Sequence, residues 1–181
     1  MKKRINEIFY SIQGEGCWAG TAMVFVRFSG CNLKCDFCDT EHQSYTEMTN
    51  QEILEEVSKH KCLIVCLTGG EPALQADQTL IDLLRENQKI VHIETNGTIE
   101  LPNNINWVTV SPKTDNIKPK IVHEIKVVYQ GQDVSKWLNS PATLYYLQPC
   151  SCTNTDEVIK YIKTHTPWKL SIQTQKLLNF Q

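Results

Sequence analysis

Short apolar runs alternate with amphipathic segments along this chain. The runs at Met23–Phe28, Leu63–Leu67, Ile90–Glu94, Trp107–Val110, Glu124–Val128, Leu144–Leu147 and Lys169–Ile172 have strand length and are rich in branched and aromatic side chains. Between them the spacing turns helical. Ile53, Leu54 and Val57 share one face of a helix that Thr49-Asn-Gln-Glu52 opens in the form of a capping box. Leu80, Ile81, Leu83 and Leu84 mark a second helix. Val158, Ile159 and Ile162 mark a third, with Asn154 or Thr155 as its N-cap. Alternating strands and helices predict an α/β fold with a largely parallel sheet. No repeat, low-complexity tract or linker interrupts the pattern, so one domain is expected over 1–181.

The polar motifs fall at regular places in this pattern. Gly30–Thr40 follows the run ending at Phe28, Thr68-Gly-Gly-Glu-Pro72 follows Leu63–Leu67, and Thr95-Asn-Gly97 follows Ile90–Glu94. Ser111-Pro-Lys113 and Gln148-Pro149 likewise follow Trp107–Val110 and Leu144–Leu147. Five polar loops at the C-terminal ends of five predicted strands share the edge where α/β proteins bind ligands. Turn-making alone would not require that coincidence.

With 181 residues, 41% hydrophobic and 21% charged, the composition is that of a globular protein with a sizeable core. A formal net charge of −2 gives no electrostatic reason to expect binding to nucleic acid or a membrane surface. Lys2-Lys-Arg4 begins like a targeting segment, but Asn6 and Glu7 break the apolar run that should follow. No stretch has the length of a membrane span, and a cytoplasmic protein is expected. Lys2, Lys3 and most other lysines are read as solvated.

Eight cysteines are many for such a compartment, and they are not spaced as a disulfide framework. Cys62 and Cys66 flank an apolar Leu-Ile-Val and are read as small hydrophobes. Cys17 has no clear role, and Cys150-Ser-Cys152 leaves metal binding open. Cys31, Cys35 and Cys38 are different. Their spacing, in Gly30-Cys-Asn-Leu-Lys-Cys-Asp-Phe-Cys-Asp-Thr40, suits a [4Fe-4S] cluster in which three thiolates hold three irons and the fourth iron stays open. A closed structural site would need a fourth ligand nearby, which the sequence lacks. The triplet, with Phe37 before its last cysteine, resembles the signature of radical S-adenosylmethionine (SAM) enzymes, in which SAM chelates the open iron.

Other motifs have a plain reading beside a functional one. Gly69-Gly-Glu-Pro72 is a sound strand-to-helix turn, with Pro72 at the first helical position. Beside the triplet it resembles the glycine-rich segment whose carbonyls receive the SAM amino group. Ser111 and Lys113 form an ordinary Ser-Pro turn, or donate to the SAM carboxylate and ribose. Arg27 interrupts an apolar strand on the face of Phe25, so it is either ion-paired or gripping a substrate carboxylate. His42, His60, His92, His123 and His165 show no metal-ligand spacing and receive no ligand role.

Over essentially its whole length the chain resembles the 7-carboxy-7-deazaguanine synthase family. The matching segments are Glu7-Ile-Phe-Tyr-Ser-Ile-Gln-Gly-Glu-Gly16, Phe25–Thr40, Thr68–Pro72, Glu94-Thr-Asn-Gly97, Ser111-Pro-Lys113, Glu124-Ile-Lys-Val127, Leu147-Gln-Pro149 and Leu170-Ser-Ile-Gln-Thr174. The resemblance implies a trimmed, incomplete (βα) barrel, with a mostly parallel curved sheet, working as a homodimer. It implies conversion of 6-carboxy-5,6,7,8-tetrahydropterin to 7-carboxy-7-deazaguanine with loss of ammonia, by a radical ring contraction on the route to queuosine and related deazapurines. The cofactors implied are a [4Fe-4S] cluster on Cys31, Cys35 and Cys38, SAM used catalytically, and Mg²⁺ on Thr40. The SAM contacts implied are Phe37, Cys38, Asp39, Gly70, Ser111, Pro112, Lys113, Gln148, Pro149, Cys150 and Ser151. Substrate contacts fall on Ile12, Gln13, Gly14, Arg27, Thr68 and the chain end at Gln181. An electron donor such as flavodoxin or ferredoxin would feed the cluster.

The chain departs from the family pattern in three places. Gln175 stands where histidine is usual, Gln181 ends the chain in place of proline or a small residue, and Cys150-Ser-Cys152 replaces the usual residues after Gln-Pro. Two rivals share part of the signal: a glycyl-radical activating enzyme, and a zinc-holding interaction module.

Overall fold

The computed structural model describes residues 1–38, 40 and 44–181. Asp39 and His42 therefore lie outside the described residues. The strands are β1 Lys3–Ile12, β2 Ala22–Phe28, β3 Thr46–Met48, β4 Ile64–Gly69, β5 Ile90–Thr95, β6 Trp107–Val110, β7 Glu124–Tyr129, β8 Leu144–Pro149 and β9 Lys169–Leu170. The helices are α1 Asn50–Ser58, α2 Gln78–Glu86, α3 Thr155–Thr164 and α4 Thr174–Leu178. The described strands form one nine-stranded sheet in the order β3-β1-β2-β4-β5-β6-β7-β8-β9. β1 is antiparallel to both β2 and β3, and every pairing from β2 to β9 is parallel. The first and last strands do not meet, so the barrel is incomplete, as the family resemblance implies.

Local chemistry sets the element ends. Thr49 caps α1 reciprocally with Glu52, and Asp77 caps α2 through Leu80 N. Pro72 opens a single 3₁₀ turn after β4, where its missing N–H costs nothing.

Alternation along the strands divides the side chains between two faces. On one face Val24, Val26, Phe28, Val65, Leu67, Val91 and Ile93 pack against Ile53, Val57, Leu80, Ile81 and Leu84 of the helices. Truncating one of the Leu or Ile side chains among these to Ala would cost about 2–5 kcal/mol through lost transfer energy and a residual cavity. On the other face a smaller cluster of Met23, Phe25 and Cys66 fills the lower end, backed by Phe9 and Trp18. Arg27, Thr68, Glu94, Lys126 and Gln148 belong to this second face, near the C-terminal ends of their strands. The fold thereby gathers polar groups from five strands above an apolar plug.

Two expectations are corrected here. Lys3 is not solvated: it is buried at 2% exposure and ion-paired to Asp77, because β1 runs beneath the start of α2. The last strand ends at Leu170, not Ile172, and residues after it turn back toward β1, where Thr174 N donates to Gly14 O at 3.1 Å.

Candidate active site

A cleft of about 580 Å³ opens at the C-terminal ends of the parallel strands. Its lining includes Cys31, Cys35, Cys38, Phe37 and Thr40 from the loop after β2, and Thr68, Gly69 and Gly70 from the end of β4. Ser111 and Lys113 come from the loop after β6, and Gln148, Pro149, Cys150 and Ser151 from the end of β8. Ile12, Gln13 and Gly14 enter from the end of β1, Arg27 from β2, and Gln181 from the chain end. Of the site residues expected from sequence, Pro112 is buried behind this lining and Asp39 lies outside the described residues.

None of the three cysteines is in a disulfide and none is deeply buried. Cys31 Sγ accepts from Leu33 N at 3.4 Å and from Asn96 Nδ2 at 3.9 Å. Burial raises the Cys35 thiol, as do Cys38 and Cys31, while the nearby Lys113 ammonium opposes the rise. Among the described residues no three Cys, His, Asp or Glu side chains converge on a point where one ion would sit. A four-iron cluster does not ask for such convergence, because its thiolates each take a different iron. The donor set and its cationic neighbour fit the cluster.

Room and donors for SAM lie beside it. Gly69, at φ 110°, has no space for a Cβ, because Phe28 backbone lies against it. This lets the Gly69-Gly70 backbone face the cleft while Gly70 N is tied to Phe28 O at 2.9 Å. Lys113 Nζ donates to Ser111 O and Oγ, both at 2.8 Å, and lies 5.7 Å from the Phe37 ring centroid. Burial lowers the Lys113 ammonium from its ordinary value, and Cys35 opposes this. Ser151 and Cys152 both take left-handed backbone, at φ 47° and 63°, a conformation that costs non-glycine residues about 1 kcal/mol or more and concentrates at functional sites.

The cleft floor is an ionic network that sequence reasoning did not find. Lys126 Nζ lies 2.6 Å from Glu15 Oε2 and 3.0 Å from Glu94 Oε1, and its side chain is 6% exposed. Burial alone would raise the Glu15 carboxyl, but Lys126, with Gln173 and Gln175, brings it down to about 2. Burial would likewise lower Lys126, yet Glu15, Glu94 and Glu124 hold it well above the ordinary lysine range. Both partners stay ionised. Glu94 in turn accepts from Thr68 Oγ1 at 3.0 Å and Gln13 Nε2 at 3.1 Å, fixing two expected substrate contacts. Alternation in β7 carried a signal for this: Lys126 and Glu124 share a face opposite Ile125 and Val127.

Gln175 Nε2 donates to Glu15 Oε1 at 2.9 Å, so the glutamine braces the floor through a neutral amide. Of the two readings of Arg27, the ion pair is the one observed. Its Nε is bound to Glu7 Oε1 at 2.8 Å and its guanidinium stacks over Phe9, while the ion pair leaves both Nη groups outside it. At the rim, Ser11 Oγ donates to Gln181 O, and Gln181 Nε2 donates to Glu7 Oε2 at 2.7 Å. The chain end is thus drawn into the cleft.

Comparison with known proteins agrees with this geometry. The Radical SAM superfamily model matches residues 25–141, which places the chain in that class. The chain is 54% identical to 7-carboxy-7-deazaguanine synthase of Bacteroides thetaiotaomicron, each covered over 100% of its length. It is 35% identical to the Burkholderia multivorans protein of the same name, over 99% of each. The crystal structure of QueE from Escherichia coli superposes with a TM-score of 0.80 at 28% identity, covering 96% of this chain and 94% of that one. Within the radical SAM class, the chain belongs to the 7-carboxy-7-deazaguanine synthase family.

Proposed function

We propose that the cleft holds SAM and 6-carboxy-5,6,7,8-tetrahydropterin together and converts the pterin to 7-carboxy-7-deazaguanine with release of ammonia, in deazapurine biosynthesis. The observation that carries this reading is that the three cysteines, Lys113, Arg27 and the chain end line one cleft. The conversion removes ammonia without net gain or loss of electrons, so nothing in the cleft needs to be consumed as an oxidant. When bound, the cluster and SAM supply one-electron cleavage of a carbon–sulfur bond, and so a carbon radical able to abstract hydrogen.

The protein's own task is binding, orientation and exclusion of side reactions. Cys31, Cys35 and Cys38 hold the cluster. Gly70 presents a carbonyl to the SAM ammonium, Ser111 and Lys113 donate to its carboxylate and ribose, and Phe37, Pro112 and Gln148–Ser151 shape the rest of its pocket, with Asp39. Arg27 takes the substrate carboxylate with its planar fork. Ile12, Gln13, Gly14 and Thr68 line the pterin site, and the Gln181 carboxylate accepts N–H groups from the pterin edge. The floor network serves this site indirectly: Glu94, accepting from both, keeps Gln13 and Thr68 pointing one way. Thr40 offers a hydroxyl to Mg²⁺, an ion that keeps most of its waters and needs few protein ligands. The reading includes a single-domain homodimer in the cytoplasm, fed by a flavodoxin- or ferredoxin-class donor, with no nucleic-acid or membrane partner.

The test is anaerobic incubation of the cluster-loaded protein with SAM, reductant and the carboxypterin. Formation of 7-carboxy-7-deazaguanine, identified by mass and ultraviolet spectrum, supports the reading. SAM cleavage without that product contradicts it.

A further inference from the structure

Glu71 is a carboxylate with zero exposure that the proposed chemistry does not use. It accepts from Thr95 Oγ1 at the end of β5 at 2.6 Å, from Asn96 N just after it at 2.7 Å, and from Ala73 N in its own 3₁₀ turn at 3.0 Å. Its own N–H donates to Gly30 O at 2.9 Å, one residue before Cys31. Glu71 therefore ties the start of the cysteine loop to the loop after β5.

Asn96 sits at the far end of that tie and lines the cleft. Its carboxamide has only one workable orientation. Oδ1 accepts from the backbone N–H of Thr98 at 2.9 Å, a donor that cannot be reversed, and from Thr98 Oγ1 at 2.7 Å. Nδ2 must then face the other way, where it meets Asn32 Oδ1 at 2.9 Å and Cys31 Sγ at 3.9 Å. With Leu33 N at 3.4 Å, Cys31 accepts two N–H groups, one from the main chain and one from the Asn96 carboxamide, which Thr98 orients while Glu71 holds the Asn96 main-chain N–H.

We propose that Asn96, fixed by Glu71, is a positioning residue that donates a hydrogen bond to the Cys31 thiolate and thereby eases one-electron reduction of the cluster. An N–H dipole aimed at a ligating sulfur stabilises the more negative, reduced cluster over the oxidised one, and hydrogen bonds to sulfur are among the levers that set such potentials. Asn96 needs no contact with substrate for this. The proposal rests on the cluster assignment above, and a wild-type protein that assembles no [4Fe-4S] spectrum would fail that assignment instead.

The test is a spectroelectrochemical titration of the anaerobically reconstituted protein without SAM, comparing wild type with Asn96→Ala and Asn96→Asp. Asn96→Ala should make reduction about tenfold less favourable, a midpoint about 59 mV lower for one electron. Asn96→Asp keeps the Thr98 and Glu71 contacts but points an oxygen at the sulfur, so its midpoint should fall further. Unchanged midpoints in cluster-loaded variants would overturn the proposal. Failure of both variants to hold a cluster would overturn it too, since Asn96 would then support the loop and not tune the metal.

Discussion

Arg27 and Glu7 face each other across β1 and β2, with Nε 2.8 Å from Oε1, and their residues are register partners in the sheet. The other oxygen of the same carboxylate holds the Gln181 side chain at 2.7 Å. One acid thus presets both a cationic fork and the chain end, two groups assigned to opposite parts of the substrate.

Arg27→Lys keeps charge but loses the fork. Substrate affinity should fall about tenfold or more, beyond what the same swap does at a surface site, because one amine cannot make two parallel bonds to a carboxylate. SAM affinity should be unchanged, and calorimetric titration of each ligand separates the two. Equal losses for both would mean that the cleft itself has collapsed.

Removing Asn179-Phe-Gln181, or extending the chain past Gln181, should raise KM for the pterin while the cluster spectrum persists. Gln181 is anchored by Ser11 and Glu7, and either change withdraws its terminal carboxylate from the rim. A terminally tagged enzyme with wild-type KM would place Gln181 outside the site.

Lys126→Met strands Glu15 and Glu94 without their cation, at an expected cost of about 3–5 kcal/mol in chemical denaturation. The pH dependence follows from the depressed Glu15 value. Its folded form resists protonation, so the pair's contribution is present above 4.5 and lost as pH falls toward about 2. Wild type should lose stability across that window, and the variant should lose less.

His92 gives a second acid-sensitive element at higher pH. Buried against Trp18 at 4.9 Å between ring centroids, its imidazole is lowered by burial from 6.5 to about 4. Protonation therefore favours the unfolded chain. Stability should drop by up to about 1.4 kcal/mol per unit as pH falls from 6.5 to about 4. His92→Phe should flatten that slope in urea titrations, and an unchanged slope would assign the effect elsewhere.

Thr40→Val removes a hydroxyl at nearly constant volume. Product formation should lose its stimulation by Mg²⁺ while reductive SAM cleavage continues, since the thiols are untouched. Mg²⁺ dependence identical to wild type would rule Thr40 out as a ligand.

Much of this was legible in the sequence because the parallel strands carry continuous apolar runs, which burial on both faces requires. β6 was read with its observed ends, and the loops that follow β2, β4, β5, β6 and β8 do meet at one edge. β1 was not read as a strand. Only Lys3 and Ile5 of its ten residues are buried, so it lacks both an apolar run and a clean alternation. Its polar side chains answer to the cleft and the rim, as Glu7 does. Lys3 misled for a related reason: a lysine is solvated by default, and only the Asp77 side chain, far along the chain, accounts for its burial. The Glu15–Lys126–Glu94 network was hidden because its members come from separate segments, and no local spacing announces a pairing made by topology.

The most direct test of the central claim is the yield of 7-carboxy-7-deazaguanine when SAM is supplied well below the carboxypterin concentration, under anaerobic reduction. A redox-neutral ring contraction with catalytic SAM should give product in excess of the SAM added, and none from Cys31→Ala, Cys35→Ala or Cys38→Ala. Product capped at the amount of SAM, or formed equally well by a cysteine variant, would contradict the account.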